Sequence, residues 1–180
     1  MDDLEIEIKS WCENFDELIA LLEQAKAKKV TTQYEQDVFF NHPARDFAKT
    51  DEALRIRRVN NDVILTYKGP RLGTKTKTRV EHETAINNFD QMKKILHDLG
   101  FHEVHTLQKE RTIYQLHDVE ICLDTIDGLG RFVELEKKGT DKEKNEAELF
   151  QLAEKLNLKY FENRSYLEMI FQNAQPPFLK

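Results

Sequence analysis

The chain has only two cysteines, Cys12 and Cys122, set far apart and without metal-ligand spacing. A structural disulfide is therefore not expected, and a reducing, cytoplasmic setting is. No apolar run approaches the roughly 20 residues needed to span a bilayer, and nothing resembles a signal peptide, so no membrane partner is expected. Positive charge is also in short supply. Lys and Arg number 27 against 33 Asp and Glu, giving a net charge of -6 and a pI near 5.6. Such an overall field does not draw in nucleic acid, so any anion binding must be local. Glycine (6) and proline (4) are scarce, and no linker-like or low-complexity stretch divides the 180 residues. One domain over 1–180 is expected, with an ordered core over about 1–172 and a tail over 173–180 that frays around Pro176-Pro177.

Although 33% of residues are charged and 39% hydrophobic, the apolar residues are periodic and Phe is frequent (11), which argues for a folded chain. Strand-like alternation recurs at about 4–10, 33–40, 53–60, 62–68, 75–84, 107–116, 118–124 and 130–137. Helical periodicity appears at Phe15, Leu18, Ile19 and Leu22, at Phe89, Met92, Leu96 and Leu99, and at Leu149, Leu152, Ala153 and Leu156. Asn14 with Glu17 and Asn88 with Gln91 resemble capping boxes, and Gly100 can end the second helix. Asn60-Asn61 and His117-Asp118 suit hairpin turns. The spacing from Glu7 and Lys9 to Asn14-Phe15-Asp16 is repeated from Glu81 and Glu83 to Asn88-Phe89-Asp90, suggesting two related strand-helix-strand-strand units. The sequence Glu134-Leu135-Glu136-Lys137-Lys138 is a third echo leading into a helix.

The charged faces of these strands carry the chemistry. In the first strand Leu4, Ile6 and Ile8 share one face and Glu5, Glu7 and Lys9 the other, with same-face neighbours about 6 to 7 Å apart. Parity likewise groups Arg55 with Arg57, Lys109 with Arg111, Glu120 with Cys122 and Asp124, and Glu134 with Glu136. Lys75, Lys77, Arg79, Glu81 and Glu83 share a further face, and Lys68 ends its strand. On a single one-sided antiparallel sheet such faces would simply meet water. Eight strands tend to close on themselves, however, and three amphipathic helices need the apolar faces to cover. The charged faces then turn inward, where opposite charges about 4 Å apart attract by roughly 4 kcal/mol at an effective dielectric near 20. Carboxylates and ammonium groups on one wall suit a divalent cation together with a polyphosphate.

In order along the chain, Glu5-x-Glu7-x-Lys9, Leu54-Arg55-Ile56-Arg57, Tyr67-Lys68-Gly69-Pro70, Arg79-x-Glu81-x-Glu83, Lys109-x-Arg111 and Leu129-Gly130-x-Phe132-x-Glu134-x-Glu136 resemble the motifs of the CYTH superfamily, the triphosphate tunnel metalloenzymes. The resemblance implies an α+β fold: an eight-stranded antiparallel closed or near-closed β-barrel with flanking helices. Length, Lys68-Gly69-Pro70, Lys109-x-Arg111-x-x-x-Tyr114, Asp124-x-x-x-Gly128-Leu129-Gly130 and Ser165-Tyr166 look most like class IV adenylyl cyclases. Those enzymes convert ATP to cyclic AMP and pyrophosphate. Triphosphatases acting on thiamine triphosphate, tripolyphosphate or nucleoside triphosphates remain the alternative, and a nucleotide- or polyphosphate-binding module without turnover is the non-enzyme reading.

By similarity to the family, Lys9, Arg55, Arg57, Lys68, Arg79, Lys109 and Arg111 would hold the triphosphate. Glu5, Glu7, Glu134 and Glu136, with Asp124 and Glu81, would bind Mg2+ or Mn2+. Glu5, Glu7, Lys9, Lys109 and Arg111 are the residues expected to take part in catalysis. Asp37 is expected to face inward as the partner of an arginine, Lys75, Lys77 and Glu83 to rim the opening, Trp11 and Phe132 to pack in the core, and His82, His102, His105 and His117 to lie at the surface. A small-molecule triphosphate is the expected partner, and a homodimer is the assembly to consider because many small soluble enzymes are symmetric dimers.

Overall fold

Alternation in Leu4–Trp11 produces β1, whose Ile6 and Ile8 are 0% and 4% exposed beneath helices while Glu5, Glu7 and Lys9 face the other way. The structure, a computed structural model, describes residues 4–72, 76 and 78–179. After β1 come α1 (Phe15–Gln24), β2 (Lys28–Asn41), α2 (Phe47–Thr50), β3 (Ala53–Val59), β4 (Asp62–Lys68) and β5 (Glu81–Ala85). The chain continues through α3 (Phe89–Asp98), β6 (His102–Leu116), β7 (Val119–Ile126), β8 (Gly130–Gly139), α4 (Lys142–Lys155), β9 (Tyr160–Phe161) and α5 (Tyr166–Phe171).

The strands form one sheet in the order β5-β4-β3-β2-β6-β7-β8-β1-β9, and every ladder is antiparallel. The sheet curls until its two sides meet: Arg79, just ahead of β5, donates its backbone N–H to Glu5 O of β1 at 3.3 Å. The near-closed barrel is as expected, but its sheet contains nine strands among the described residues rather than eight. The additional strand is β9, whose two residues pair with Ser10 and Trp11. The strand expected at 75–84 instead covers Glu81–Ala85, and Lys75 and Lys77 lie outside the described residues. β2 and β6 are longer than their alternation suggests, pairing from Lys28↔Gln115 to Asn41↔His102 with register shifts at Lys29/Thr31 and Phe39/Phe40. Such irregularities bend a long ribbon, which lets it wrap a cylinder.

The helices cover the apolar outer faces. α1 and α4 pack Leu18, Leu22, Leu149 and Ala153 onto Ile6, Ile8, Ile121, Val133 and Leu135, while α2 and α3 pack Phe47, Phe89 and Leu96 onto Val38, Phe40 and Ile56. Fully burying each such side chain contributes roughly 1.5–3 kcal/mol. The asparagines expected at helix starts do cap, Asn14 accepting from Asp16 N and Asn88 from Gln91 N. The reciprocal capping box forms elsewhere, between Ser165 and Glu168 at the start of α5. Gly100 ends α3 with φ +90°, and the hairpin residues Asn60 and His117 take left-handed φ values of 53° and 54°.

A third apolar cluster closes one end of the barrel. Trp11, Phe132, Leu107, Leu129, Tyr166 and Met169 meet there, with the Trp11 and Phe132 ring centres 4.3 Å apart. Gly130 lies under this cluster at φ +130°, a backbone conformation that selects glycine. Rather than fraying, the segment after α5 buries Ala174 and packs Phe178 against the same cluster. Both cysteines are free thiols. His82, His102 and His117 are exposed and His105 is half-buried.

Candidate active site

Inward parity gathers the charged residues into a lumen of about 740 Å3. Glu5, Glu7, Lys9, Arg55, Arg57, Lys68, Arg79, Glu81, Lys109, Arg111, Glu134 and Glu136 all line it. Asp124 does not; it lies beneath that wall, 0% exposed.

Across β6 and β7, Arg111 Nε and Nη2 each lie 2.6 Å from an Asp124 oxygen, and Lys109 Nζ is 3.1 Å from Oδ2. The Tyr166 hydroxyl adds a fourth bond to Asp124 at 2.8 Å. Arg111 also bonds Glu134 and approaches Glu136 at 3.7 Å, linking these cations to β8. Burial opposes the charge on Arg111, but Asp124 and Glu134 hold its pKa well above the ordinary value.

A second group spans β2 and β3. Arg57 grips Asp37 through Nε (2.7 Å) and Nη2 (2.8 Å) and reaches Glu35 at 2.9 Å, while Arg55 meets Asp37 at 3.4 Å. Lys109 Nζ, 3.3 Å from Glu35, connects this group to the first. Burial would raise the Glu35 carboxyl, yet the charges of Lys109, Arg111 and Arg57 outweigh it and hold its pKa at about 2. Asp37, likewise buried, is pulled far below the usual carboxylate range by Arg55 and Arg57. Asp37 has the arginine partners its parity suggests. Glu35 was not anticipated, although it lies two residues before Asp37 on the same face.

The third group joins the two sides of the barrel. Lys68 Nζ sits between Glu5 (3.2 Å) on β1 and Glu81 (2.6 Å) on β5. Burial, reinforced by the Glu5 charge, pushes the Glu81 carboxyl up to about 7 against the pull of Lys68 and Arg55. Arg55 Nε is buried without a hydrogen-bond acceptor among the described residues. Arg79 points to Asp51 at 3.7 Å, and Glu83 accepts from the Thr66 hydroxyl at 2.8 Å. Lys9 donates to the Arg164 carbonyl at 2.6 Å with its ammonium 4.0 Å from the Tyr166 ring centre.

Glu7 on β1 and Glu134 and Glu136 on β8 bring one carboxylate oxygen each to within 4.8 Å of one another. Glu7 and Glu136 are direct neighbours in the β1–β8 ladder. Burial raises the Glu136 carboxyl well above its ordinary range, Arg111 opposes this, and Glu5, Glu134 and Glu7 reinforce it. A divalent cation would relieve that repulsion, and hard carboxylate oxygens suit Mg2+ or Mn2+, so the donor set fits such an ion. Glu120 and Cys122 also lie near Glu136, but the thiol pKa is raised by burial, which disfavours the thiolate.

Where α5 caps the lumen, apolar side chains stand beside the polar Ser165 and Glu168. Phe39, Val104, Leu107, Leu167 and Phe171 line it, with Phe39 paired to His105 in the β2–β6 ladder. The chain has no helix among its described residues long and apolar enough to cross a membrane.

A cylinder of antiparallel strands thus encloses an interior of paired cations and converging carboxylates. The CYTH domain profile matches residues 3–166, and the chain belongs to the CYTH domain family. It is 37% identical over 171 residues to the Methanocaldococcus jannaschii protein named "Putative adenylate cyclase MJ0240", covering 92% of this chain and 98% of that one. Among solved structures, the PH1819 protein of Pyrococcus horikoshii OT3 superposes with a TM-score of 0.86 at 38% identity, covering 93% of this chain and 98% of that one. A Hippeastrum adenylyl cyclase homologue, described as having a dominant triphosphatase activity, shares the fold at TM-score 0.69 and 17% identity, covering 97% and 98%.

Proposed function

We propose that this protein is a divalent-metal-dependent enzyme acting on an organic triphosphate, and that its reaction converts ATP to cyclic AMP and pyrophosphate. The observation that carries this reading is the convergence of Glu7, Glu134 and Glu136 in the same lumen as the lysines and arginines. Cations alone suffice to bind phosphate, whereas converging carboxylates repel it unless a metal intervenes. That argues for an enzyme over a binding module.

Lys9, Arg55, Arg57, Lys68, Arg79, Lys109 and Arg111 bind the triphosphate oxygens through charge-assisted hydrogen bonds, the arginines orienting and the lysines neutralising. Asp37 and Asp124 fix the guanidinium planes from behind, and Asp124 is assigned to that task rather than to the metal. Glu7, Glu134 and Glu136, with Glu5 and Glu81 alongside, would hold Mg2+ or Mn2+, which would supply Lewis acidity at the phosphoryl oxygens. In cyclisation the ribose 3'-hydroxyl gives its proton to water as its oxygen bonds to the α-phosphorus, while the bond from that phosphorus to the bridging oxygen breaks and pyrophosphate leaves. The cationic wall stabilises the charge that accumulates on the departing pyrophosphate.

The apolar side chains at the α5 end favour an organic substituent, since they offer a packing surface to a base and nothing to bare tripolyphosphate. The name of the M. jannaschii relative supports cyclisation. Hydrolysis of the terminal phosphate is the second reading, supported by the activity described for the Hippeastrum protein, because the same wall serves either attack.

The test is incubation with ATP, thiamine triphosphate and tripolyphosphate in Mg2+ or Mn2+, with products separated by chromatography. Cyclic AMP with pyrophosphate is expected; orthophosphate without cyclic AMP would select the second reading. Glu7→Gln should abolish metal-dependent turnover, and full activity in that variant would remove Glu7 from the mechanism.

A further inference from the structure

We propose that Tyr166 is a positioning residue that ties the C-terminal cap of the barrel to the lysines of the triphosphate wall. The proposal rests on the triphosphate reading above. Tyr166 is the first residue of α5 and is 9% exposed, and three charged groups meet it. Its hydroxyl donates to Asp124 at 2.8 Å, Lys9 Nζ lies 4.0 Å from its ring centre, and Lys109 Nζ lies 5.3 Å from it. Packing alone does not explain this arrangement, because an aliphatic side chain could fill the space against Phe132 without engaging any of the three.

The ring is held firmly. Ser165 Oγ accepts from Glu168 N at 3.1 Å and Glu168 accepts from Ser165 N at 2.6 Å, fixing the first turn of α5. Arg71 donates to Asn163 O at 2.9 Å and reaches Glu168 at 3.4 Å, securing the segment that leads into it. Phe132 meets the ring edge-on with centres 5.0 Å apart. Lys9 is also held by the Arg164 carbonyl two residues earlier in the cap, and its ammonium lies 5.8 Å from the Phe132 ring centre on β8.

An aromatic face orients an ammonium ion without adding a negative charge that competes with phosphate. The phenolic hydroxyl acts on the opposite flank, fixing the carboxylate that holds Lys109 and Arg111. Tyr166 thus sets three cations of the wall through two different parts of one side chain, and it is their positions, rather than any contact of its own with the reacting atoms, that it supplies.

The test is calorimetric binding of inorganic tripolyphosphate in Mg2+ to the full chain. Tyr166→Leu, which loses ring and hydroxyl, should raise Kd about tenfold, and Tyr166→Phe, which keeps the ring, about threefold. Met169→Ala loosens the same apolar cluster without touching Tyr166's polar contacts, and should stay within about twofold of wild type. Unchanged binding in both Tyr166 variants overturns the proposal, as does a Met169→Ala loss equal to that of Tyr166→Leu. If Tyr166→Leu does not fold, the comparison of Tyr166→Phe with Met169→Ala decides. Wild-type protein that binds tripolyphosphate but turns over no triphosphate overturns the enzyme reading while this comparison still stands; wild-type protein that binds none overturns both.

Discussion

Arg111 and Asp124 sit directly opposite each other in the β6–β7 ladder, and guanidinium meets carboxylate through two bonds of 2.6 Å. The pair is fully inside the protein, and Lys109 and Tyr166 share the same carboxylate. Removing one charge from a buried network costs more than the network contributes, because the remaining charges have lost their water. Asp124→Asn should therefore lower stability by about 3 kcal/mol or more. A shift in the urea midpoint measures it, and an unchanged midpoint would show that Asp124 is not the keystone of this cluster.

Glu136 combines burial with three neighbouring carboxylates, so its proton is hard to remove without a cation. Glu136→Gln imitates the protonated form. Its melting temperature in EDTA should match or exceed that of the wild type. Mg2+ or Mn2+ should raise the wild-type melting temperature by binding the folded state, and that rise should be largely lost in the variant. An undiminished metal-dependent rise would place the ion elsewhere.

Glu35 gives an acid limb. Its folded pKa, about 2, lies below the ordinary 4.5, so it contributes stability above pH 4.5 that is lost as the pH falls from about 4.5 to 2. Linkage sets this contribution at about 3 kcal/mol, in order of magnitude. Denaturation across that window should be shallower in Glu35→Gln, which has already lost the contribution; identical slopes would assign the acid limb to other carboxylates.

Phe171 is 57% exposed at the α5 end of the lumen. Phe171→Ala should raise KM for ATP about three- to tenfold through lost packing on the base, and leave inorganic tripolyphosphate binding unchanged. An equal loss for both ligands would mean that Phe171 shapes the wall rather than receiving the organic group.

The sequence made the barrel readable because β1, β3, β7 and β8 alternate cleanly, and the helices that cover them show which face must turn inward. Where alternation fails, so does the reading. β9 is two residues long, too short to carry a period, and the beginnings of β2 and β6 set single valines, Val30 and Val104, among polar residues, held instead by the β2–β6 ladder. The site was legible as composition but less so as connectivity. Parity put Asp124 on the charged face, yet nothing local shows that two cations from the preceding strand and a phenol two strands and a helix further on would close over it. Glu35 escaped notice among polar neighbours, although its spacing from Asp37 was an available signal. Tyr166 shows no signal of its lumen role in a short C-terminal helix, because that role depends on where the cap docks.

The link between Arg79 and Glu5 differs from the other joins around the cylinder: neighbouring long strands share ladders, whereas here, among the described residues, one backbone bridge joins the two sides. Among the described residues the Lys68–Glu5 ion pair is the side-chain stitch beside that bridge, and a girdle so lightly laced widens there before it widens anywhere else. The amide of Arg79 should exchange with deuterium well ahead of those of β7, and the circumference of the lumen can change without undoing a ladder.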